Sequence, residues 1–468
     1  MTTSMNPMFA PIYRRRHKFP DLQRAPVLFV LGIYFLFNCH LLRNLTPVYY
    51  GILAVAFAAA VVYSLSKMPK LAMTPIGKWI AAYVVFALSA AIQTAVDLGP
   101  VPAAYGGVRL LMTVPLVAMV LLVSASYPRL FEYCLWMFLG FATIGVFSIV
   151  LQYFTGPISW FVEASDRAGM ERFGSFLGSI PTIGAVVPLG ILLALLMPMR
   201  PVVRTVVLLI MGVGIFSSLS KQAVSGSLLA VVLGLLLGQK KRIAVIGWII
   251  AGCAVGYLVL DLLDLPLVAS MRNYVTGILF PDMVGSETMR GYDFTVQESM
   301  WMRMTSLPMN SYNWLIEHRG SFGLAVGGGC VMLGPSLLRP GDSYYFTAHN
   351  NYMDFVLLGG IGYLIVFLGL CVSVTRESLR LYRSKAIGSL GSVMLGIALM
   401  YITASMFTGG LTYQPALGTL WWTFVGFAWR AEVNRLIVFK RPAMPKGMLN
   451  MMRFRPRPRV RPTEALTS

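Results

Sequence analysis

Residues 346–360, FTAHNNYMDFVLLGG, place a histidine and two asparagines at the beginning of a long apolar run. Imidazole titrates near neutral pH, so His349 suits a general base. On a helix, Tyr352 lies on the face of His349, and Asn350 and Asp354 form a neighbouring i,i+4 pair. The simpler interpretation is a hydrogen-bonded residue at the edge of an apolar segment. A catalytic role therefore requires a substrate site nearby.

A second segment, WFVEASDRAGMERFGS at residues 160–175, offers a cation for such a site. On a helix Arg167 lies four residues from both Glu163 and Glu171, which would neutralise it. Arg172 lies off that stripe. We therefore expect Arg172 to be free to bind an anion.

The same spacing test separates the cations farther along the chain. Arg290 has an acid three residues away on each side, whereas Arg303, Arg272 and Arg319 have none at helical spacing. Lys221, in SSLSKQAVSG, has no acid nearby, and a cation beside an apolar span needs an anion, a carbonyl or water. Snorkelling towards the membrane surface is the simpler alternative for this lysine. Together these residues predict an anion site with a base beside it.

The remaining sequence predicts an all-α polytopic membrane protein. Hydrophobic residues make up 57% of the chain and charged residues only 12%, which excludes an ordinary water-soluble domain. Apolar stretches of roughly 17 to 25 residues, long enough to cross a bilayer, occur about 12 times. The predicted spans are 26–42, 47–65, 76–96, 107–126, 130–153, 178–198, 204–219, 222–238, 243–263, 350–374, 387–408 and 416–430.

The basic residues indicate topology rather than nucleic-acid binding. The net charge is +20, but all but ten of the 38 Lys and Arg residues lie in the termini and loops on one side of the spans. By the positive-inside rule that side is the cytoplasm, so both termini are predicted there. The predicted organisation is a basic segment 1–25, a transmembrane domain 26–430 with outer loops 154–177 and 264–349, and an Arg/Pro-rich tail 431–468 that binds anionic membrane lipid.

The outer loop 264–349 contains a predicted helix followed by glycines. ESMWMRMTSLPMNSYNWLIEHRG has helical spacing of large apolar residues and is expected to lie along the membrane interface. SFGLAVGGGCVMLGPS supplies tight turns but lacks the Lys-Ser/Thr ending of a phosphate loop. Of five cysteines only Cys330 lies in a long outer loop, so no disulfide framework or metal-ligand spacing arises. Neither a metal nor another cofactor is expected.

Three motifs occur in a fixed order between about residues 165 and 375. RFGSFLGSIPTIGAVVPLG, SLSKQAVSGSLLAV and HNNYMDFVLLGGIGYLIVFLGL resemble the arginine-glycine loop, the serine-arginine turn and the histidine-asparagine span of the O-antigen ligase and polymerase family. Lys221 stands where that family usually has arginine. SIPT stands where the family usually has a proline-asparagine pair.

The resemblance implies a metal-independent glycosyltransferase of the bacterial inner membrane. Its donor would be an undecaprenyl-diphosphate-linked oligosaccharide on the periplasmic side. By position, His349 would take the proton of the acceptor hydroxyl, and Arg172, Arg303 and Lys221 would bind the donor diphosphate. The supporting residues would be Asn350, Tyr352 and Asp354.

Two enzymatic functions and one transport function fit this pattern. We expect a polysaccharide polymerase that extends another lipid-linked repeat, for an exopolysaccharide or an O-antigen. The alternatives are an O-antigen ligase, with lipid-A core as acceptor, and a transporter of polysaccharide or lipid-linked sugar. The long cytoplasmic connection between the halves of many transporters is missing here, which disfavours transport. Polysaccharide export or flippase proteins are the expected protein partners.

Overall fold

The structure, a computed structural model, describes the chain in segments. They are residues 74–126, 129–159, 161, 165–167, 170–178, 180–218, 220–238, 247, 287–289, 292–294, 305–329, 350–384, 387–406 and 408–440. Within these segments the chain is a helical bundle with two short β-hairpins, which agrees with the predicted all-α class.

The apolar runs of the sequence form the helices. The helices are α1 Pro75–Leu98, α2 Pro100–Leu111, α3 Pro115–Ser126, α4 Leu130–Thr155, α5 Ile180–Leu196, α6 Pro201–Ser217, α7 Lys221–Leu237, α8 Ser306–Val326, α9 Asn351–Ser384, α10 Ser389–Ala404 and α11 Pro415–Lys440. The strands are β1 Ser165–Arg167, β2 Met170–Arg172, β3 Glu287–Met289 and β4 Tyr292–Phe294, and each consecutive pair is antiparallel.

Four of the described segments are long and apolar enough to cross a membrane. They are Pro75–Leu98, Pro100–Val117, Leu130–Thr155 and Asn351–Ser384. This agrees with the coarse prediction of a membrane protein. The count of about 12 spans stays a prediction, because the predicted spans 26–42, 47–65 and 243–263 lie outside the described residues, apart from Gly247.

A single residue, Gly99, connects α1 to α2. Its φ of 92° lies in the left-handed region that favours glycine. Pro75 and Pro100 begin the two helices, at a position where a missing N–H costs no helical hydrogen bond. A Cβ on Gly107 would lie 3.2 Å from the Cβ of Ala91. The two helices therefore fold back on each other as a tight hairpin.

The span predicted at 107–126 is divided into two helices. α2 ends at Leu111 and α3 begins at Pro115. Pro115 has no N–H to donate to the carbonyl of Leu111, so a continuous helix lacks a hydrogen bond at this point. The N–H of Val114 donates to that carbonyl instead, at 3.1 Å. The segment is therefore a broken helix that begins at Pro100, earlier than predicted.

α9 is interrupted at Gly359 and Gly360, where the end of α8 approaches its backbone. Gly360 has a φ of 73°. The N–H of Gly328 donates to the carbonyl of Leu357 at 2.5 Å, and a Cβ on Gly327 would lie 2.5 Å from the backbone nitrogen of Gly359. Gly327 and Gly329 have positive φ, and the described part of the glycine run packs into the break in α9. The tight turns expected farther along the run stay a prediction.

An aromatic cluster forms the core beneath the first turns of α9. The Phe355 ring stacks on Phe367 at 4.3 Å and meets Tyr363 edge-on at 4.9 Å. Tyr83 of α1 meets Trp422 of α11 at 4.8 Å. Offset and edge-to-face rings pack with fixed geometry, so this cluster orients the beginning of α9 against α1 and α11.

The end of the bundle at which α9 ends, here called the basic end, contains two buried acids. Glu377 of α9 accepts hydrogen bonds from Arg380 at 3.2 Å and from Arg435 at 3.3 Å. Glu432 of α11 accepts from the backbone N–H of Ile76 at 3.1 Å. Both acids are at most 4% exposed, so their charges require these partners. The contacts join α1, α9 and α11.

Most described basic residues lie along helix ends at the basic end. They are Lys78, Arg129, Arg200, Arg204, Arg376, Arg380, Arg383, Arg430 and Arg435. Positive charge on one side is the distribution that the positive-inside rule requires of a cytoplasmic face. The orientation of the chain in a membrane stays a prediction.

Candidate functional site

The first turn of α9 begins at the residues that the sequence singled out. The side-chain oxygen of Asn350 accepts from the backbone N–H groups of Tyr352 at 3.0 Å and Met353 at 3.2 Å. This cap satisfies two of the N–H groups that a helix leaves without partners. His349 lies outside the described residues, so its placement stays a prediction. The two residues directly after it, Asn350 and Asn351, are held by hydrogen bonds to another part of the chain.

A loop between α10 and α11 holds this turn of α9. We call residues 405–406 and 408–414 the clamp loop. The backbone N–H of Asn351 donates to the carbonyl of Ser405 at 2.8 Å, and its side-chain oxygen accepts from the N–H of Gly410 at 3.1 Å. Asn351 is fully buried, so these bonds satisfy groups that water cannot reach.

Two of the predicted supporting residues add to this attachment. The side-chain amide of Asn350 donates to the carbonyl of Met406 at 3.2 Å. The hydroxyl of Tyr352 donates to the carbonyl of Ile402, at the end of α10, at 2.6 Å. Asn350 and Tyr352 thus fix the beginning of α9 to the end of α10.

Asp354, the third predicted supporting residue, is buried against the clamp loop. It is 3% exposed, and the hydroxyl of Tyr413 donates to its Oδ2 at 3.0 Å. Gly409 lies so close to the same oxygen that a side chain there would collide with it. Asn350 and Asp354, predicted as an i,i+4 pair, therefore hydrogen-bond to different parts of the loop.

Burial and the neighbouring carboxylate keep the hydroxyl of Tyr413 protonated. Burial raises the pKa of Tyr413 well above its ordinary value, the carboxylate of Asp354 raises it further, and the guanidinium of Arg109 in α2 lowers it. The protonated hydroxyl is a donor, and the carboxylate is its acceptor. Hydrogen bonds to charged acceptors are stronger than those between neutral groups.

The clamp loop also contacts the beginning of α5. The hydroxyl of Thr182 donates to Oε1 of Gln414 at 3.3 Å, and Nε2 of Gln414 donates back to the carbonyl of Gly409 at 3.5 Å. α5 begins shortly after the strand that ends at Arg172. One loop therefore joins the helices that begin beside His349 and Arg172.

Arg172 lies in a β-hairpin and not on the helix that its spacing predicted. In the register of β1 and β2, Arg172 is opposite Ser165 and Asp166 is opposite Glu171. Successive side chains of a strand point to opposite faces of the sheet. Arg167 and Glu171 lie on different strands, so they do not form the i,i+4 helical pair that the sequence predicted. The same correction applies to the pattern assumed around Arg290, since β3 and β4 pair on either side of it.

Packing places the Arg172 hairpin beside the end of α6. The side chain of Arg172 is half-buried. The next residue, Phe173, meets Tyr153 edge-on at 4.9 Å, and the Tyr153 hydroxyl donates to the carbonyl of Ser217 at 3.1 Å. Ser217 is the last residue of α6, and Lys221 begins α7 after a short connection. The elements that carry Arg172 and Lys221 therefore meet at one end of the bundle.

Lys221 stands at the first position of α7. A Cβ on Gly184 of α5 would lie 2.5 Å from Oγ of Ser220, so the beginning of α7 packs directly on α5. The N-terminus of a helix carries partial positive charge. Because the sequence has a lysine at this position, a full positive charge is added to the same end of the helix.

A small apolar crevice of about 20 Å³, room for about one water molecule, lies beside the beginning of α7. α5, α7, α10 and the clamp loop line it, through residues that include Gly184, Ala404 and Leu411. Gln222 and Tyr401 are its polar members, and the buried amide nitrogen of Gln222 has no hydrogen-bond partner among the described residues. The crevice combines apolar walls with one available donor.

No known family model matches the sequence, and no curated protein does. In the described part of the chain, no group of three or more His, Cys, Asp or Glu side chains is arranged to hold a metal ion.

The outer-loop arginines have different outcomes. Arg303 lies outside the described residues, so its role stays a prediction. Arg319 in α8 forms an ion pair with Asp97 at the end of α1. The expectation that Arg319 is free is therefore wrong. Its partner is 222 positions away in the chain, where helical spacing gives no information.

Sequence reasoning missed the clamp loop, whose sequence TGGLTYQ runs from Thr408 to Gln414. Its available signals are a Gly-Gly pair and polar residues between two apolar runs, ending before Pro415. Three threonines, Thr408, Thr412 and the nearby Thr113, are each at most 3% exposed. Their hydroxyls make no hydrogen bond among the described residues. A buried hydroxyl without a partner costs about 1–3 kcal/mol.

Proposed function

We propose that this chain is a membrane glycosyltransferase of the polymerase type. Its donor is an undecaprenyl-diphosphate-linked oligosaccharide, and its acceptor is a hydroxyl of another lipid-linked repeat on the periplasmic face of the bacterial inner membrane. His349 is the general base, and Arg172, Arg303 and Lys221 bind the diphosphate.

One observation supports this proposal more than any other. The helices that begin next to Arg172, Lys221 and His349 all begin at the end of the bundle opposite the basic end, and the clamp loop contacts two of them directly. The third, α7, shares the crevice with the clamp loop through Gln222 and Leu411. Cations and a base on these three segments would face a common region.

The reaction needs only groups that the chain supplies. The acceptor oxygen attacks the anomeric carbon of the donor, a new C–O bond forms, and the bond to the diphosphate breaks with its electron pair leaving on the diphosphate. His349 takes the acceptor proton. Arginine and lysine stabilise the negative charge that develops on the leaving diphosphate. A sugar on a diphosphate is already activated, so orientation supplies much of the remaining acceleration.

The apolar walls of the crevice favour a lipid-linked substrate over a soluble one. They lie beside the first turn of α7, which begins at Lys221, and they are mostly aliphatic. The crevice itself has room for about one water molecule, so a hydrocarbon chain would lie along its outer surface and not inside it.

The test uses purified protein and a lipid-linked repeat as the only glycan. A ladder of longer lipid-linked products is expected from the wild type and none from His349→Ala, because the base is lost. The matched control is His318→Ala, an exposed histidine in α8 that is expected to keep full activity. Folding of each variant is checked by its elution as a single peak in detergent.

Two results would contradict the proposal. Normal product length and yield from His349→Ala would remove the base. Product that appears only when lipid-A core is added would assign the chain to the ligase reaction instead.

A further inference from the structure

Among the described contacts between the clamp loop and α9, the hydrogen bond from Tyr413 to Asp354 is the one that involves a buried charge. Asp354 is one turn into α9 from the beginning of the helix, and Tyr413 lies at the other end of the clamp loop from Ser405. The loop is thus attached to the first turn of α9 at both of its ends. Its middle, Gly409 and Gly410, cannot move towards α9 because Gly409 already touches the Asp354 carboxylate.

The same loop is attached to α5 through the residue after Tyr413. Gln414 accepts from Thr182 and donates to Gly409, so the side chain of Gln414 connects α5 to the part of the loop that touches Asp354. A shift of Tyr413 away from Asp354 would move Gln414 and its contact with α5. This bond therefore contributes to the separation between the beginnings of α5 and α9, together with the bonds that Asn350 and Asn351 make with the clamp loop.

We propose that Asp354 and Tyr413 are positioning residues that help to set the distance between the beginning of α5, which follows Arg172 in the chain, and the beginning of α9, which follows His349 in the chain. This inference rests on the proposed function. Neither side chain touches the reacting atoms, and neither takes part in proton transfer. Loss of the bond lowers the turnover number, because near-attack geometry is lost, while substrate affinity changes little.

The experiment compares four variants of the full-length protein. Tyr413→Phe removes the hydroxyl and keeps the ring, Asp354→Asn keeps an acceptor oxygen, and the double variant combines them. Tyr401→Phe is the matched control, since it also removes a buried tyrosine hydroxyl, one that donates to the carbonyl of Leu417 at 2.5 Å and not to Asp354. Each protein is measured for kcat, KM and pH profile with a lipid-linked repeat, and for hydrogen exchange in residues 350–356 and 405–414.

Tyr413→Phe is expected to lower kcat about tenfold or more with KM within about twofold of the wild-type value. The pH profile should keep its shape, since no titrating group of the reaction is removed. Asp354→Asn should have a smaller effect, because it weakens the bond but keeps an acceptor oxygen. The double variant should be no worse than Tyr413→Phe, because Tyr413→Phe alone already removes the bond. Hydrogen exchange should rise in both peptides for Tyr413→Phe and stay at the wild-type rate in residues 350–356 for Tyr401→Phe.

Full kcat together with unchanged exchange in Tyr413→Phe would overturn the inference and leave the proposed function standing. Additive losses in the double variant, or a shifted pH profile, would also overturn it. If the wild type makes no product from a lipid-linked glycan, the proposed function fails. The exchange measurements then decide alone whether this bond holds α9.

Discussion

Replacing Gly327 by alanine should destabilise the contact between α8 and α9. Gly327 has a φ of 77° and a ψ of −170°, a conformation nearly restricted to glycine that costs other residues about 1–3 kcal/mol. The new Cβ would lie 2.5 Å from the nitrogen of Gly359 and 2.6 Å from the carbonyl carbon of Leu358. These are backbone atoms that cannot rotate away, and forcing a methyl group against them costs about 1–3 kcal/mol more. The expected loss of stability is about 2–6 kcal/mol.

Thermal unfolding in detergent, followed by tryptophan fluorescence, measures this loss. A change of 1 kcal/mol shifts Tm by about 2–4 °C in a domain of 150–250 residues and by less in a longer chain, so a decrease on the order of 5 °C is expected. The control is Gly140→Ala in α4, where a Cβ would have no atom within 4 Å. Alanine is a better helix former than glycine by up to about 1 kcal/mol, so this control should match or exceed the wild-type Tm.

A Tm for Gly327→Ala equal to that of Gly140→Ala would refute the reasoning. It would mean that the backbones of α8 and α9 are farther apart in the protein than they are in this structure. A lower Tm in both variants would instead indicate a general intolerance of glycine replacement in the bundle.

Two further predictions concern the proposed reaction. Lys221→Arg should keep more glycan transfer than Lys221→Ala, because the positive charge at the beginning of α7 is retained; equal activities, measured as product per folded protein, would leave Lys221 as an interfacial anchor only. EDTA should leave the rate of product formation unchanged, since the proposed steps use only protein groups; a loss that magnesium restores would contradict a metal-independent reaction.

Long apolar runs predicted the helices well. The runs at 76–96, 130–153 and 222–238 correspond to α1, α4 and α7, with ends that differ by at most two residues. Burial in hydrocarbon or in a packed bundle imposes the same requirement on every residue of such a helix, so composition alone is enough to find it.

The break in the span predicted at 107–126 was not found, because apolar residues lie on both sides of it. Only Pro115 marks the position, and proline within a membrane helix is compatible with a kink or with a complete break. Gly418 of α11 packs against the break, since a Cβ there would lie 3.0 Å from the hydroxyl oxygen of Thr113. These two residues are far apart in the sequence, so local spacing does not indicate their contact.

Helical spacing in the sequence was a poor guide to the partners of the candidate site residues. Helical spacing failed for Arg172 because the segment forms strands, and it failed for Arg319 because the acid that pairs with it belongs to another helix. The roles of His349 and Arg303 stay predictions. The attachment of Asn350, Asn351 and Asp354 to the clamp loop was not predictable, since each bond joins residues more than 50 positions apart.

The hydrogen bond between Glu432 and the N–H of Ile76 joins positions 356 residues apart. Ribosomes add about 5–20 residues per second, so Glu432 is synthesised about 20–70 s after Ile76. For that period the first turn of α1 exists without the carboxylate that completes it. The earliest described helix is therefore finished by the last one, and the growing chain must keep α1 in a provisional arrangement until α11 has been made.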